Sequence, residues 1–269
     1  MKINKLVIKK NRWEEKIKIP YAYIGLYSVI YPLISLVLIT LFLLTTGVGP
    51  VIAETLTEKV TFKSVKNETI KASGKIVGRY FFVEFNTLSY VNPATFGYFI
   101  SVFENQQIPY GGQHKPVASY NVTCTTAYCS HALEAPITKA PYIVGIGSSY
   151  SLDTVSTTLN FTPGNTEGVL FNPSVSVLKL GINSVVVAYE MPPGYKPIDS
   201  KSWVGIWQGE ASSTISPIGK ADINSLQSYG SQAINKITIQ VGATYTIGLF
   251  SGPKHEDIVA IAIIKIKPY

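Results

Sequence analysis

The sequence predicts an all-β protein: an N-terminal transmembrane or signal helix followed by two tandem β-sandwich domains. Three observations carry this. Residues 19–53 contain no charged side chain. Residues 54–269 consist of short alternating runs of Val, Ile, Tyr and Thr cut by Pro and Gly, with no apolar 3.6-residue period. The second half of that region also repeats the first at a spacing of 103–104 residues.

Composition narrows the function classes. With 46% hydrophobic and 14% charged residues, the chain is not a charged disordered polymer. Two cysteines and three histidines exclude a disulfide-rich miniprotein and a zinc site built on cysteine alone. The net charge is +7, but residues 1–53 hold seven Lys/Arg against two Glu, which leaves only +2 for the rest. The basicity is a tail, so no nucleic-acid partner is expected.

Residues 1–20 read as a basic cytoplasmic tail and residues 21–53 as the hydrophobic membrane segment or signal peptide. Tyr21–Thr46 would be about 39 Å long as a helix, enough to cross a hydrocarbon core of ~30 Å with tilt. Tyr21, Tyr23, Tyr27 and Tyr31 gather at the end nearest the lysines, where amphipathic rings sit at headgroup level. The positive-inside rule puts the N-terminus in the cytoplasm and everything after residue 53 outside. Two readings of the segment stand. It is a retained anchor with the membrane as partner through residues 21–46. Alternatively the apolar block Leu33–Leu44, followed by Gly47, Gly49 and Pro50, is a signal peptide cleaved between Ala53 and Glu54.

Residues 54–73 (ETLTEKVTFKSVKNETIKAS) follow as a linker, or as a donor strand that completes the sandwich of a neighbouring copy. Strands are expected at Val77–Phe85, Tyr98–Phe103, Tyr142–Ile146, Ser156–Phe161, Ser184–Tyr189, Trp203–Trp207, Lys236–Val241, Tyr245–Phe250 and Ile258–Ile266. A shift of 104 sets Val83 on Val187, Phe85 on Tyr189, Pro93 on Pro197, Phe99 on Trp203 and Phe103 on Trp207. A shift of 103 sets Ala118 on Ala221, Asn121 on Asn224, Tyr142 on Tyr245, Gly145 on Gly248 and Ser148 on Ser251. Two related domains follow, at 74–165 and 166–269, with the boundary in TPGNTEGVLFNP. Units of about 100 residues with frequent turn signals fit immunoglobulin-like sandwiches.

Within the second unit, VVVAYEMPPGYKPIDSKSWVGIW (residues 185–207) resembles the strand element of SKICH-type immunoglobulin-like domains, in which an Asp-Trp-Val-Gly-Ile run follows a Val-x-Tyr strand. Ser202 stands at the family's Asp position. The resemblance implies the fold only. Trp203 and Trp207 share a strand face, read as core packing rather than as a ligand platform.

Cys124 and Cys129, in NVTCTTAYCSH, are expected to form a disulfide that pins a short loop outside the cell. The sharper alternative adds His131, and His114 with it, as ligands for zinc or copper, although C-x4-C-x-H matches no established metal spacing. Three sequons, at Asn67, Asn121 and Asn160, lie on the exported side and make glycosylation possible there. No nucleophile elbow, zincin motif or phosphate loop is present, so no catalytic residue and no cofactor are assigned. Glu256 and Asp257, beside Lys254 and His255, read as a solvated turn before the last strand.

Low charge with abundant Ser, Thr, Tyr and Ile is similar to the exported surface proteins of crenarchaea, including the strand-exchanged thread and bundling pili. That resemblance implies a non-enzymatic extracellular surface protein, structural or adhesive, tethered to the membrane or assembled with other copies of itself into a filament. A metal-binding or redox accessory subunit of a membrane complex is the alternative, and an exported hydrolase the third reading.

Overall fold

The computed structural model describes residues 60–112, 114–212 and 215–267. The basic tail, the hydrophobic segment and the Ala53–Glu54 junction lie outside the described residues. Among the described residues no helix is long and apolar enough to cross a membrane.

Sixteen strands sort into four antiparallel sheets. The first repeat holds β2 (Lys71–Val77), β3 (Tyr80–Asn86), β4 (Phe99–Phe103), β5 (Ala118–Asn121), β6 (Tyr128–Glu134), β7 (Tyr142–Gly147) and β8 (Thr157–Phe161). The second holds β10 (Ser174–Leu180), β11 (Ser184–Glu190), the short helix α1 (Pro197–Ser200), β12 (Trp203–Gln208), β13 (Gly219–Asp222), β14 (Tyr229–Asn235), β15 (Thr244–Phe250) and β16 (Ile258–Ile266). Two further strands, β1 (Phe62–Thr69) and β9 (Val169–Phe171), precede β2 and β10. The three-stranded sheet β2-β3-β6 faces β5-β4-β7-β8-β9, and β10-β11-β14 faces β13-β12-β15-β16-β1.

Alternation explains the inner faces. In β3, Phe81, Val83 and Phe85 point inward while Tyr80, Phe82 and Glu84 face solvent. Phe81 packs edge-on against Tyr142 and Phe161, with ring centroids 5.3 and 5.4 Å away. In the second sandwich Val185, Val187 and Ile234 oppose Val204, Ile206, Ile247 and Leu249, all buried. Strands β4, β7 and β12 lack alternation because both faces of their sheets are covered. Over the outer face of the first, Phe99 and Phe103 pack with Ile108, Ile143 and Val155 as a second small core.

Several expectations are corrected. Val77–Phe85 is not one strand: Gly78, at φ 62°, turns the chain between β2 and β3. Lys236–Val241 is irregular, because Lys236 adopts φ 60° directly after β14. Ala118 and Asn121 do not correspond to Ala221 and Asn224. Phe99 pairs with Asn121, whereas Trp203 pairs with Asp222, so the spacing there is 101 rather than 103. The apolar pattern does not report this slip, since a shift of two residues preserves which side chains face inward.

Strands β1 and β9 leave the repeat in which they begin. β1 leads into β2 of the first sandwich but pairs with β16 of the second, Asn67 opposite Ala262 and Glu68 opposite Ile261. β9 leads into β10 of the second sandwich but pairs with β8 of the first, Leu170 opposite Leu159 and Phe171 opposite Thr158. A shift of 103 carries one pairing onto the other. Each repeat therefore completes the other's five-stranded sheet. The segment expected as a linker or as a strand for a neighbouring copy is engaged within its own chain, and β2 starts at Lys71, inside it.

Because of this exchange the two sandwiches are expected to unfold as one unit. Leu159→Ala in the first and Ile247→Ala in the second each remove a fully buried side chain and should cost about 2–5 kcal/mol. Calorimetry of the protein should show a single transition lowered by either substitution. Two transitions, of which each variant moves only one, would contradict the coupling.

Candidate functional sites

The two crossings meet side by side. Only Ile70 separates β1 from β2, and Asn172–Pro173 separates β9 from β10. Thr69 Oγ1 donates to the carbonyl of Pro173 at 2.8 Å, tying one crossing to the other, and reaches the carbonyl of Val259 at 3.2 Å. Proline at 173 has no N–H to leave unpaired at this point.

Next to the crossings lies a buried carboxylate. Asp257 has no exposed surface. Its Oδ1 accepts from Ser148 Oγ at 2.7 Å and Ser149 Oγ at 2.6 Å, both in the first sandwich, and its Oδ2 accepts from the Lys254 N–H at 3.0 Å. Ser149 and Tyr150 take positive φ of 55° and 52°, which side-chain-bearing residues rarely adopt. The turn that they make brings the Ser149 hydroxyl to Asp257. The expectation of a solvated turn at Glu256–Asp257 is thus overturned for Asp257. Its signal was absent because the partner serines are more than a hundred residues away.

Aromatic groups close the same junction. Tyr110 of the first sandwich meets Tyr195 of the second edge-on at 5.3 Å. The Tyr110 hydroxyl donates to Val155 O at 2.9 Å, while the Tyr195 hydroxyl bonds Ser202 Oγ and the Ser251 carbonyl. Burial first, with Asp257 adding to it, pushes the Tyr98 phenol far above its ordinary range. Burial does the same for Tyr195, against the opposing hydrogen bonds from Ser200 and Ser202.

The disulfide expected at Cys124–Cys129 is present, with the Cα atoms 6.0 Å apart. It joins the segment after β5 to β6, and a loop this short is worth about 2 kcal/mol by chain entropy. Both sulfurs are consumed in it, so the Cys124, Cys129, His131 metal set has no thiolate to offer. His131 instead stacks on Tyr120, centroids 3.4 Å apart, and burial lowers its pKa. His114 is exposed in a separate loop. Among the described residues no three His, Cys, Asp or Glu side chains converge. Of the sequons, Asn67 on edge strand β1 and Asn121 at the end of β5 are exposed, and Asn160 is half-buried in β8.

Trp203 and Trp207 are buried, as core packing requires, but on the outer face of their sheet. A Cβ at Gly205 would stand 2.7 Å from Trp203 and 2.9 Å from Trp207, so glycine there lets both indoles lie flat on the strand. Trp203 stacks on Phe250 at 3.7 Å, and Trp207 Nε1 donates to Ile215 O at 2.8 Å.

No family model matches the chain, and no curated protein matches it. Among solved structures the chain is similar to the FN1–FN3 domains of chicken CNTN1, with 16% identity and a TM-score of 0.25 over 74% of this chain. It spans 64% of the length of that protein. It is also similar to the chicken interferon gamma receptor alpha chain (12% identity, TM-score 0.24, 76% of this chain and 100% of that one). The ligand-binding domain of human OSCAR is a third (9% identity, TM-score 0.21, 73% and 95%).

Asp257→Ala strands two hydroxyls and an N–H and should lower stability by about 2–4 kcal/mol in urea unfolding. Alkali should also destabilise the protein through Tyr98 and Tyr195. Below pH about 10 both phenols are neutral, folded or unfolded. Above it only the unfolded chain releases these protons, so stability is lost as pH rises. The urea midpoint should hold steady between pH about 7 and 9 and fall above about 10, and less steeply in Tyr195→Phe.

Proposed function

We propose that the protein is a non-enzymatic extracellular surface protein, structural or adhesive. In this reading two immunoglobulin-like sandwiches are carried outside the cell behind the hydrophobic segment 21–53, with the N-terminus cytoplasmic while the segment is retained. The reading rests chiefly on the reciprocal exchange of β1 and β9. A chain that commits its edge strands to interlocking two sandwiches gains resistance to pulling and to local opening, which a load-bearing or displayed domain pair uses. The sheet orders are compatible with an immunoglobulin-like scheme of a three-stranded sheet facing a larger one. The disulfide suits an oxidising compartment, and the exposed sequon residues Asn67 and Asn121 suit a glycoprotein.

Assembly into a filament is a second reading, favoured by one feature. β1 already pairs with a sandwich other than the one it leads into, so the same strand can pair with β16 of another copy if it is released from its own. The intact mass of protein from membranes and from shed surface material tests both. A chain retaining residues 1–53 and confined to membranes is expected for the tethered form. A chain beginning at Glu54, found mainly in polymeric shed material, is expected for the filament. Monomeric protein recovered from the cytoplasm with its thiols reduced would defeat both.

A further inference from the structure

The outer face of the second sandwich carries a cleft of about 330 Å³ beside Trp203. Lys201, Lys220, Asp222, Asn224 and His255 line it with Trp203. Two of these residues hold buried polar atoms without a partner: Trp203 Nε1, on a side chain only 4% exposed, and His255 Nδ1. A buried donor without an acceptor is costly unless something supplies the acceptor. The six-membered ring of Trp203 lies over Gly205 with Cζ3 leading, so its N–H, on the opposite edge of the indole, faces away from Gly205, and Trp203 itself lines the cleft. Lys220 Nζ lies 5.8 Å from the centre of the Trp203 ring, and Lys220 is exposed on a strand neighbouring Trp203.

The first sandwich shows that the fold does not require this chemistry. At the matching places it has Phe99 for Trp203, Gly97 for Lys201, Ser119 for Lys220 and Leu152 for His255, following the registers of β4/β12, β5/β13 and the two 3-10 turns. Gly97 and Lys201 occupy the same left-handed corner, φ 66° and 56°. Glycine does so freely, whereas lysine is strained there. In the first sandwich the Tyr150 ring lies against Gly97, within 2.8 Å of where its Cβ would be. Pro253 stands at the equivalent of Tyr150 in the second, lining the open cleft. The same scaffold is thus filled and uncharged in one copy, open and cationic in the other.

We propose that this cleft binds an oxyanion, the carboxylate or sulfate group of a small ligand, between Lys201, Lys220, the Trp203 indole N–H and His255. Two lysines and an unpartnered N–H select an acceptor-rich anion. Asp222, on the same strand face as Lys220, limits the excess positive charge and accepts from a hydroxyl beside the oxyanion.

The test follows the indole N–H resonances of the ¹⁵N-labelled full chain, with that of Trp203 identified through Trp203→Phe. Sodium glucuronate, sodium sulfate and glucose are titrated separately. A saturable shift of the Trp203 signal with glucuronate alone identifies a sugar-acid carboxylate as the source. A shift with sulfate alone identifies a sulfate-type anion, and a shift with both supports a general oxyanion site. The triple variant Lys201→Gly, Lys220→Ser, His255→Leu installs the first sandwich's residues and should bind at least about tenfold more weakly. Lys220→Met, an exposed change, should weaken binding while leaving the melting temperature unchanged. No shift with either anion, an equal shift with neutral glucose, or undiminished binding by a folded Lys220→Met variant would overturn the proposal.

Discussion

The exchange of β1 and β9 between the two sandwiches is the constraint on which the remaining structure depends. Two sandwiches in tandem ordinarily share one linker and a modest interface, and relative motion is then the default. Here the chain crosses twice at neighbouring points, and each crossing ends in a strand hydrogen-bonded into the other sheet. Separating the sandwiches requires stripping an edge strand from at least one of them. The buried network at Asp257 and the contact between Tyr110 and Tyr195 form beside crossings that are already held together, so ordering them adds little further entropy loss.

Duplication also divides labour within the molecule. The pair Phe99–Gly147 of the first repeat corresponds to Trp203–Phe250 of the second at the same ladder position. In the first, apolar side chains cover the outer face as a second small core. In the second, aromatics cover the strands, but the end nearest β13 is lined by lysines, a carboxylate and an imidazole. A scaffold whose inner faces satisfy its stability can vary its outer faces at little cost, which is how function is placed on a conserved architecture. The second repeat, not the disulfide-bearing first, carries the chemically richer surface.

Legibility in the sequence followed the range of the interaction. Alternation in β3 and β11 is local, and β11 was readable to within a residue. The inner face of β3 was readable too, although the turn at Gly78 was not and the strand was run together with the end of β2. The internal repeat was legible because Phe99 and Trp203, Tyr142 and Tyr245, or Gly145 and Gly248 do the same packing job. Strands β5, β13, β6 and β14 were missed or set in the wrong register. They are edge strands, rich in polar residues and weakly patterned, and β5 and β13 have only four residues each, so little in their sequence reports their pairing. Asp257 looked like any acidic residue in a polar turn, and only the approach of Ser148 and Ser149 makes it a buried junction. Cys124 and Cys129 could be paired from their proximity and exported context, whereas His131 gave no sign that it would stack on Tyr120.

By itself the sequence determined the all-β class, the twofold repetition, the disulfide and an uncharged, hydrophobic N-terminal segment. Each of these is written in composition or in spacings of a few residues, and the repetition in like residues recurring at a fixed distance. Only the tertiary structure decided that β1 belongs to the far sandwich and β9 to the near one, that Asp257 bridges the two, and that one outer face is closed while its counterpart is open. Those outcomes depend on which of several equally good strand edges is satisfied by which strand. Backbone hydrogen bonding is nearly blind to side-chain identity, so the choice is made by the packing of the whole chain.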